Sequence, residues 1–241
     1  MRIISRLDAK PPYIVKPIYF EGVKKIGLPS EFVEKYNKQI ADEIIYIDIV
    51  SSLYQRPIKF NEIKRISRLT SIPLSVGGGI KKLRDAERII NYGADKVIVN
   101  THLFSDISLL REMSKSLGSQ ACVAHIQAKK VEDKYECLTD CGRNRTETDV
   151  FSWLQVLEDN GVGEIMISSV DNDGAMKGFD LELAEKAINS VNVPVIIGSG
   201  CGKLEDILQL KELNPSGIAV GSALHYDKLS IKDIKMSLDN S

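Results

Sequence analysis

Four segments of this sequence recur, in the same order, at a nearly constant distance. Ser71–Ile80 reads SIPLSVGGGI and Val193–Gly202 reads VPVIIGSGCG, each a proline, an apolar run and a glycine-rich end, with Pro73 and Pro194 standing 121 residues apart. The same 121-residue step links Glu43-Ile44 to Glu164-Ile165, and Val97–Thr101 (VIVNT) to Ile218–Ser222 (IAVGS). Leu7–Lys10 (LDAK) and Ile126–Lys129 (IQAK) are 119 residues apart. A period this long is no solenoid repeat. It is an internal duplication, and it predicts two similar halves, about 1–120 and 121–241, that close on each other within one domain.

Each half alternates short apolar runs with helical patterns. Strands are expected at Arg2–Asp8, Glu43–Ile49, Ile72–Val76, Lys96–Asn100, Ala121–Gln127, Glu164–Ser169, Val193–Ile197 and Gly217–Gly221. Helices are expected at Glu31–Ile40 with Ser30 as N-cap, then Asn61–Leu69, Leu83–Tyr92, Asp106–Leu117, Thr148–Asn160, Asp180–Ser190, Lys203–Leu213 and in the tail after Asp227. Lys10–Pro29, with its prolines and glycines, reads as a long connection, longer than an ordinary loop and therefore functional or mobile. Polar Val131–Thr146 reads as a hairpin. The strands are nearly continuous in apolar residues, as parallel strands covered on both faces are. Eight βα units in 241 residues describe an α/β protein, a (βα)8 TIM barrel made of two (βα)4 halves. An open doubly wound sheet is the alternative, and the duplication favours closure.

Composition narrows the function classes. Net charge is −1, with no basic surplus for nucleic acid. No apolar run is long enough to span a membrane, and the first residues, MRIISRLDAK, are too polar for a signal peptide. Cys122, Cys137, Cys141 and Cys201 lack metal-type spacing and read as reduced thiols of a cytoplasmic protein. No cofactor or metal is expected.

In a barrel of this kind the chemistry sits at the C-terminal ends of the strands. Two glycine-rich ends, Gly77–Gly79 and Ser199–Gly202, lie opposite each other by the duplication, each followed by a small polar strand end, Asn100-Thr101 or Gly221-Ser222. Backbone N–H groups free of Cβ cover, together with hydroxyls at helix starts, suit phosphate. Two such sites suit a substrate with a phosphate at each end. Asp8 is the acid/base candidate between them, or else caps a turn. Its duplicate, Gln127, cannot transfer a proton at neutral pH. By period two, Arg6 and His125 face inward with Asp8 and Gln127. Either Arg6 pairs with Asp8 and His125 is a hydrogen-bonded core histidine, or the active site is changed. The strand starts carry Arg2, Glu43, Lys96 and Glu164, read from the residues as a stabilising salt-bridge ring.

These segments together resemble the cyclase subunit family of imidazole glycerol phosphate synthase, of histidine biosynthesis. The resemblance covers almost the whole chain: RLDAK with Lys16 after it, ADEIIYIDI, PLSVGGGI, GADKVIVNT, TDCGR, GEIMISSVDNDGAMKGFD, GSGCGK and GSALH. It implies a half-duplicated barrel that receives ammonia from a glutaminase subunit docked at its N-terminal face, in a heterodimer. The ammonia acts on a bis-phosphorylated aminoimidazole carboxamide nucleotide at the other end. It further implies that Asp8 is one catalytic acid/base and Lys16 the lysine of a mobile loop. Gly78, Gly79, Asn100 and Thr101 fall at one phosphate site, and Asp173, Gly174, Ser199, Gly200, Gly221 and Ser222 at the other. Arg2, Glu43, Lys96 and Glu164 become the gate of the ammonia entrance rather than a merely stabilising ring.

The chain departs from the family where its second catalytic aspartate would stand, at Gln127. Arg6 stands where the family has a small residue, and Cys201 replaces a phosphate-loop glycine. Pro11-Pro12 and Ser51–Arg56 also look unlike the standard subunit. These features resemble paralogues found with surface-polysaccharide genes, which supply ammonia for acetamidino groups on sugars. A non-catalytic scaffold that activates a glutaminase is a third reading, opposed by the retained phosphate loops.

Overall fold

The computed structural model describes residues 1–239. The first half contains β1 (Arg2–Lys10), β2 (Tyr13–Ile18), β3 (Glu21–Gly27), α1 (Pro29–Lys38), β4 (Glu43–Asp48), α2 (Phe60–Ser67), β5 (Leu74–Gly77), α3 (Leu83–Asn91), β6 (Lys96–Val99) and α4 (Ser108–Leu117). The second contains β7 (Cys122–Val131), β8 (Lys134–Thr139), β9 (Asn144–Asp149), α5 (Val150–Asp159), β10 (Glu164–Ser169), α6 (Leu181–Ser190), β11 (Val195–Gly198), α7 (Leu204–Lys211), β12 (Gly217–Val220), α8 (Ser222–His225) and α9 (Ile231–Asp239).

Eight strands pair in parallel in the cyclic order β1-β4-β5-β6-β7-β10-β11-β12, and β12 returns to β1. The barrel is closed, as the duplication predicted. Two apolar layers hold it. The larger lies between strands and helices, with Leu7, Ile44, Leu74, Val97, Ile165 and Ile218 facing Val33, Ile89, Leu154 and Leu210. The smaller fills the interior with Ile4, Ile45, Ile98, Val123, Met166, Ile196 and Ala219. Most barrel strands are therefore apolar on both faces, which explains the absence of alternation in the sequence, while the inner faces of β1, β5 and β7 carry the buried polar residues Arg6, Asp8, Ser75, His125 and Gln127. No helix among the described residues is long and apolar enough to cross a membrane.

The long connection expected over Lys10–Pro29 is instead a folded hairpin. β1 continues past the barrel rim to Lys10 and pairs antiparallel with β2, which pairs with β3. Tyr13, Ile14 and Val15 supply buried or half-buried β-formers that the prolines and glycines around them concealed. The second half repeats the device: β7 runs to Val131 rather than stopping at Gln127 and pairs with β8, then β9. The hairpin expected at Val131–Thr146 is present. The two hairpins meet over the barrel mouth, where a Cβ on Gly142 would lie 3.1 Å from that of Phe20. Ser30 is not the cap of α1. The helix begins at Pro29, and the Glu31 carboxylate accepts the Leu28 N–H at 2.8 Å instead. The short helix α8, which follows directly on β12, was not anticipated, because four residues carry no periodicity.

Candidate functional site at the barrel mouth

The strand ends converge around two unequal spaces. The larger is a cavity of about 450 Å³ over β4, β5, β6 and β7. Gly78, Gly79, Asn100 and Thr101 line it, with Asp48, His125 and Gln127. Gly78 and Gly79 have φ of +111° and +72°, and a Cβ on Gly78 would strike the Asp48 carbonyl. Only glycine takes this path, and the loop's backbone N–H groups stay uncovered. Asn100 Oδ1 is buried without a hydrogen-bond partner among the described residues. Burial raises the pKa of Asp48, although backbone N–H groups of Val50 and Ser51 oppose the shift.

The smaller space holds about 20 Å³ and is lined by Arg6, Lys16, Asp173, Gly174, Ser199, Gly200, Gly221 and Ser222. The duplication predicts two equal anion sites, but here one is nearly filled. The hairpin is the cause: Tyr19 N–H donates to the Asp173 carbonyl at 2.8 Å, and a Cβ on Gly174 would strike the Pro17 carbonyl. Held this way, β2 swings Lys16 over Gly221. Arg6 Nη2, Asp173 Oδ2 and Ser222 Oγ face this space without partners among the described residues.

Asp8 is completely buried between two cations. Arg6 Nε donates to Oδ1 at 2.8 Å and Lys16 Nζ to Oδ2 at 2.7 Å. Burial alone would raise its pKa, but the two cations hold it well below the usual carboxylate range. Lys16 is 3.6 Å from Asp173, whose Oδ1 accepts from Ser199. Burial lowers the Lys16 pKa, yet Asp173 and Asp8 outweigh it and the net shift is upward. Asp8 does not line the large cavity, and the Arg6 guanidinium that holds it lies 5.7 Å from the Phe20 ring.

Ser168 on β10 joins the novel residues. Arg6 Nη1 donates to Ser168 Oγ at 2.7 Å, and His125 Nε2 lies 3.0 Å from the same oxygen. Thus Arg6 pairs with Asp8, and His125 is a buried hydrogen-bonded histidine. The sequence marked Ser168 only as part of a strand end. Burial and then Arg6 keep the His125 pKa far below its usual value. His225 on α8 was missed as a site residue. Its Nε2 lies 2.9 Å from the Arg6 carbonyl and its Nδ1 2.6 Å from the Tyr36 hydroxyl. Burial, then Lys16, lowers it to about 3. Thr139, Cys141 and Thr146 line the cavity from the second hairpin, a placement no local signal carries.

At the opposite end, the four strand-start charges form one ring. Arg2 reaches Glu43 at 2.5 Å and also pairs with Glu164, while Lys96 reaches Glu43 at 3.2 Å and Glu164 at 2.7 Å. Ser75 Oγ donates to Glu43 at 2.5 Å. Signs alternate around the ring, so the four charges cancel across the barrel entrance.

A fold with these loops has relatives among known proteins. The family model described as "Histidine biosynthesis protein" matches residues 2–230. The chain belongs to the histidine biosynthesis protein family. Within that family it is similar to imidazole glycerol phosphate synthase subunit HisF of Legionella pneumophila, with 42% identity over 207 residues, 86% of this chain and 98% of the relative. HisF of Campylobacter concisus is 38% identical over 234 residues, 97% of this chain and 93% of the relative. HisF of Petrotoga mobilis is 36% identical over 239 residues, 98% of this chain and 95% of the relative. This membership agrees with the resemblance drawn from RLDAK, SVGGGI and GSGCGK.

Proposed function

We propose that this chain is the cyclase subunit of an imidazole glycerol phosphate synthase. Ammonia from a glutaminase subunit docked on the strand-start face crosses the barrel in a cytoplasmic heterodimer. At the strand-end mouth it reacts with a bis-phosphorylated aminoimidazole carboxamide nucleotide, giving imidazole glycerol phosphate and an aminoimidazole carboxamide ribonucleotide. Family membership supports this, and one geometric observation carries it. The barrel has a neutral ring of four charges at one end and paired glycine-rich loops around a buried Asp–Lys centre at the other. Neutral ammonia passes an apolar interior far more readily than ammonium, because a charge there lacks solvation.

In this reading Arg2, Glu43, Lys96 and Glu164 gate the entrance. Gly78, Gly79, Asn100 and Thr101 hold one phosphate. Asp173, Gly174, Ser199, Gly200, Gly221 and Ser222 hold the other. The smaller space has room for about one water, so the hairpin carrying Lys16 moves outward when that phosphate enters. Lys16 then exchanges Asp8 Oδ2 for substrate, and that oxygen is left to take a proton while Arg6 keeps Oδ1. The test is turnover of the bis-phosphate nucleotide by the purified chain with an ammonium salt in place of the glutaminase. Conversion supports the proposal, and failure to bind the nucleotide overturns it.

One observation favours a second reading. Asp8 is clamped by Arg6 and Gln127 cannot replace an acid, so proton transfer at this centre is weakened. In that case the chain keeps the bound nucleotide's phosphate sites but passes ammonia to another acceptor, such as a sugar precursor of a surface polysaccharide. Tight binding without conversion in the same assay selects it.

A further inference from the structure

The β7 wall of the large cavity is built of two residues whose orientation the surroundings dictate. A backbone N–H can only donate, and Gly142 N–H donates to Gln127 Oε1 at 2.7 Å. The Gln127 carboxamide is therefore turned so that its NH2 is left for the cavity it lines. A guanidinium also can only donate, so Ser168 Oγ accepts from Arg6 Nη1. The Ser168 hydroxyl has one proton to place, and His125 Nε2 is the one acceptor within its reach among the described residues, so we assign that proton to the nitrogen. That nitrogen accepts, which places the ring proton on Nδ1. His125 Nδ1 has no protein partner among the described residues, and the ring lines the cavity. His125 and Gln127 are only 4% and 7% exposed, so neither geometry is averaged by bulk water.

We infer that the β7 wall is a donor-only subsite that takes an acceptor oxygen of the ligand, a carboxylate or carboxamide carbonyl, between His125 Nδ1–H and Gln127 NH2. An aspartate at position 127 would present the opposite chemistry, acceptors alone. The two donors lie two residues apart on one strand and on the same face of it, so both are presented to one cavity. Ser168 acts as a positioning residue: it sets the tautomer and does not touch the ligand. Arg6 fixes Ser168 in turn. The inference rests on the reading that this cavity is the substrate's, and it adds what the wall selects there.

The experiment uses the full chain labelled with 15N-histidine, one of three histidines, the His125 signals being assigned by their loss in His125→Gln. Long-range 1H–15N spectra at pH 7 are expected to place the His125 proton on Nδ1. Ser168→Ala is expected to lose that signature and Ser168→Thr, which keeps the hydroxyl, to retain it. Formate is expected to shift Nδ1 on titration, and methylammonium to leave it in place. A proton on Nε2, a shift with methylammonium instead of formate, or no shift with either overturns the inference. Gln127→Glu, similar in size but without donors, is expected to bind the bis-phosphate nucleotide about tenfold to a hundredfold more weakly by calorimetry, since a hydrogen bond to a charged or strongly polar group is exchanged for repulsion. Unchanged affinity in that variant overturns the donor subsite. If the wild-type chain does not bind the nucleotide while formate still shifts Nδ1, the proposed function fails and the donor subsite stands.

Discussion

Arg6→Met tests whether the guanidinium is what holds the mouth together. Methionine keeps an unbranched apolar stem of similar length. The change removes the 2.8 Å bond to Asp8, the 2.7 Å bond to Ser168 and the cation over Phe20. Breaking a buried pair by deleting one partner costs about 3–5 kcal/mol. Lys16 still donates to Asp8 at 2.7 Å, so we expect the lower part of that range, about 3 kcal/mol, or about 6–12 °C in Tm for a chain of this size. The pH dependence has a definite sign. Asp8 is depressed in the folded state, so its ionisation stabilises fully above its unfolded pKa of about 4 and less as pH falls below that. Without Arg6 the depression is smaller. The stability gap between wild type and variant is therefore full at pH 7 and narrows on acidification below about pH 4. Urea unfolding followed by circular dichroism at pH 7, 5 and 3.5 measures it. Equal stability at pH 7, or a gap that widens toward low pH, refutes the pairing as the source of stability.

The remaining predictions concern other parts of the barrel. His225, lowered to about 3, is neutral in the folded state while an unfolded histidine gains a proton below about pH 6.5. The unfolded chain thus binds more protons, and stability is lost as pH drops; His225→Gln is expected to flatten that loss by about 2 kcal/mol between pH 7 and 5 in denaturant titrations. Glu164→Gln leaves Lys96 and Arg2 each with one anion fewer, and because both cations are partly exposed the stability cost is about 1 kcal/mol or less. If the ring is a gate, that variant alters glutamine-dependent turnover while ammonium-dependent turnover holds; equal effects on both refute the gate. Gly79→Ala forces a side chain into φ +72° against Ser51 Oγ. We expect a loss of about 1–3 kcal/mol and weaker binding of inorganic phosphate, and unchanged phosphate affinity would remove this loop from the anion site.

The duplication explains why the two halves share a plan and the tertiary contacts explain why they differ. Both halves begin with a long strand that grows a hairpin, β2–β3 or β8–β9. The first hairpin carries Lys16 into the centre and nearly fills the smaller of the two spaces at the mouth; the second carries Thr139, Cys141 and Thr146 to the rim of the larger and leaves it open. Equivalent positions have become unlike chemistry: Asp8 against Gln127, and Arg6 against His125, the latter two meeting at Ser168.

Much of this was written in the order of residues. The 121-residue echo, the apolar runs and the glycine ends specified a closed, two-half barrel, because parallel strands buried on both faces need continuous apolar sequence and a backbone at positive φ needs glycine. Charges at strand starts and polar groups at strand ends followed from the barrel's polarity, so the ring and the mouth were both legible. The hairpin from Tyr13 to Gly27 was not, since its prolines and glycines look like loop until a partner strand pairs with them. Nor could the sequence tell which of the two glycine-lined spaces is filled or which way Gln127 and His125 turn. Those outcomes hang on contacts between Lys16 and Asp173, Gly142 and Gln127, and Arg6 and Ser168, up to 162 residues apart. Only the closed barrel brings such groups within reach, and a hydrogen bond acts over about 3 Å, a distance that separation along the chain does not encode.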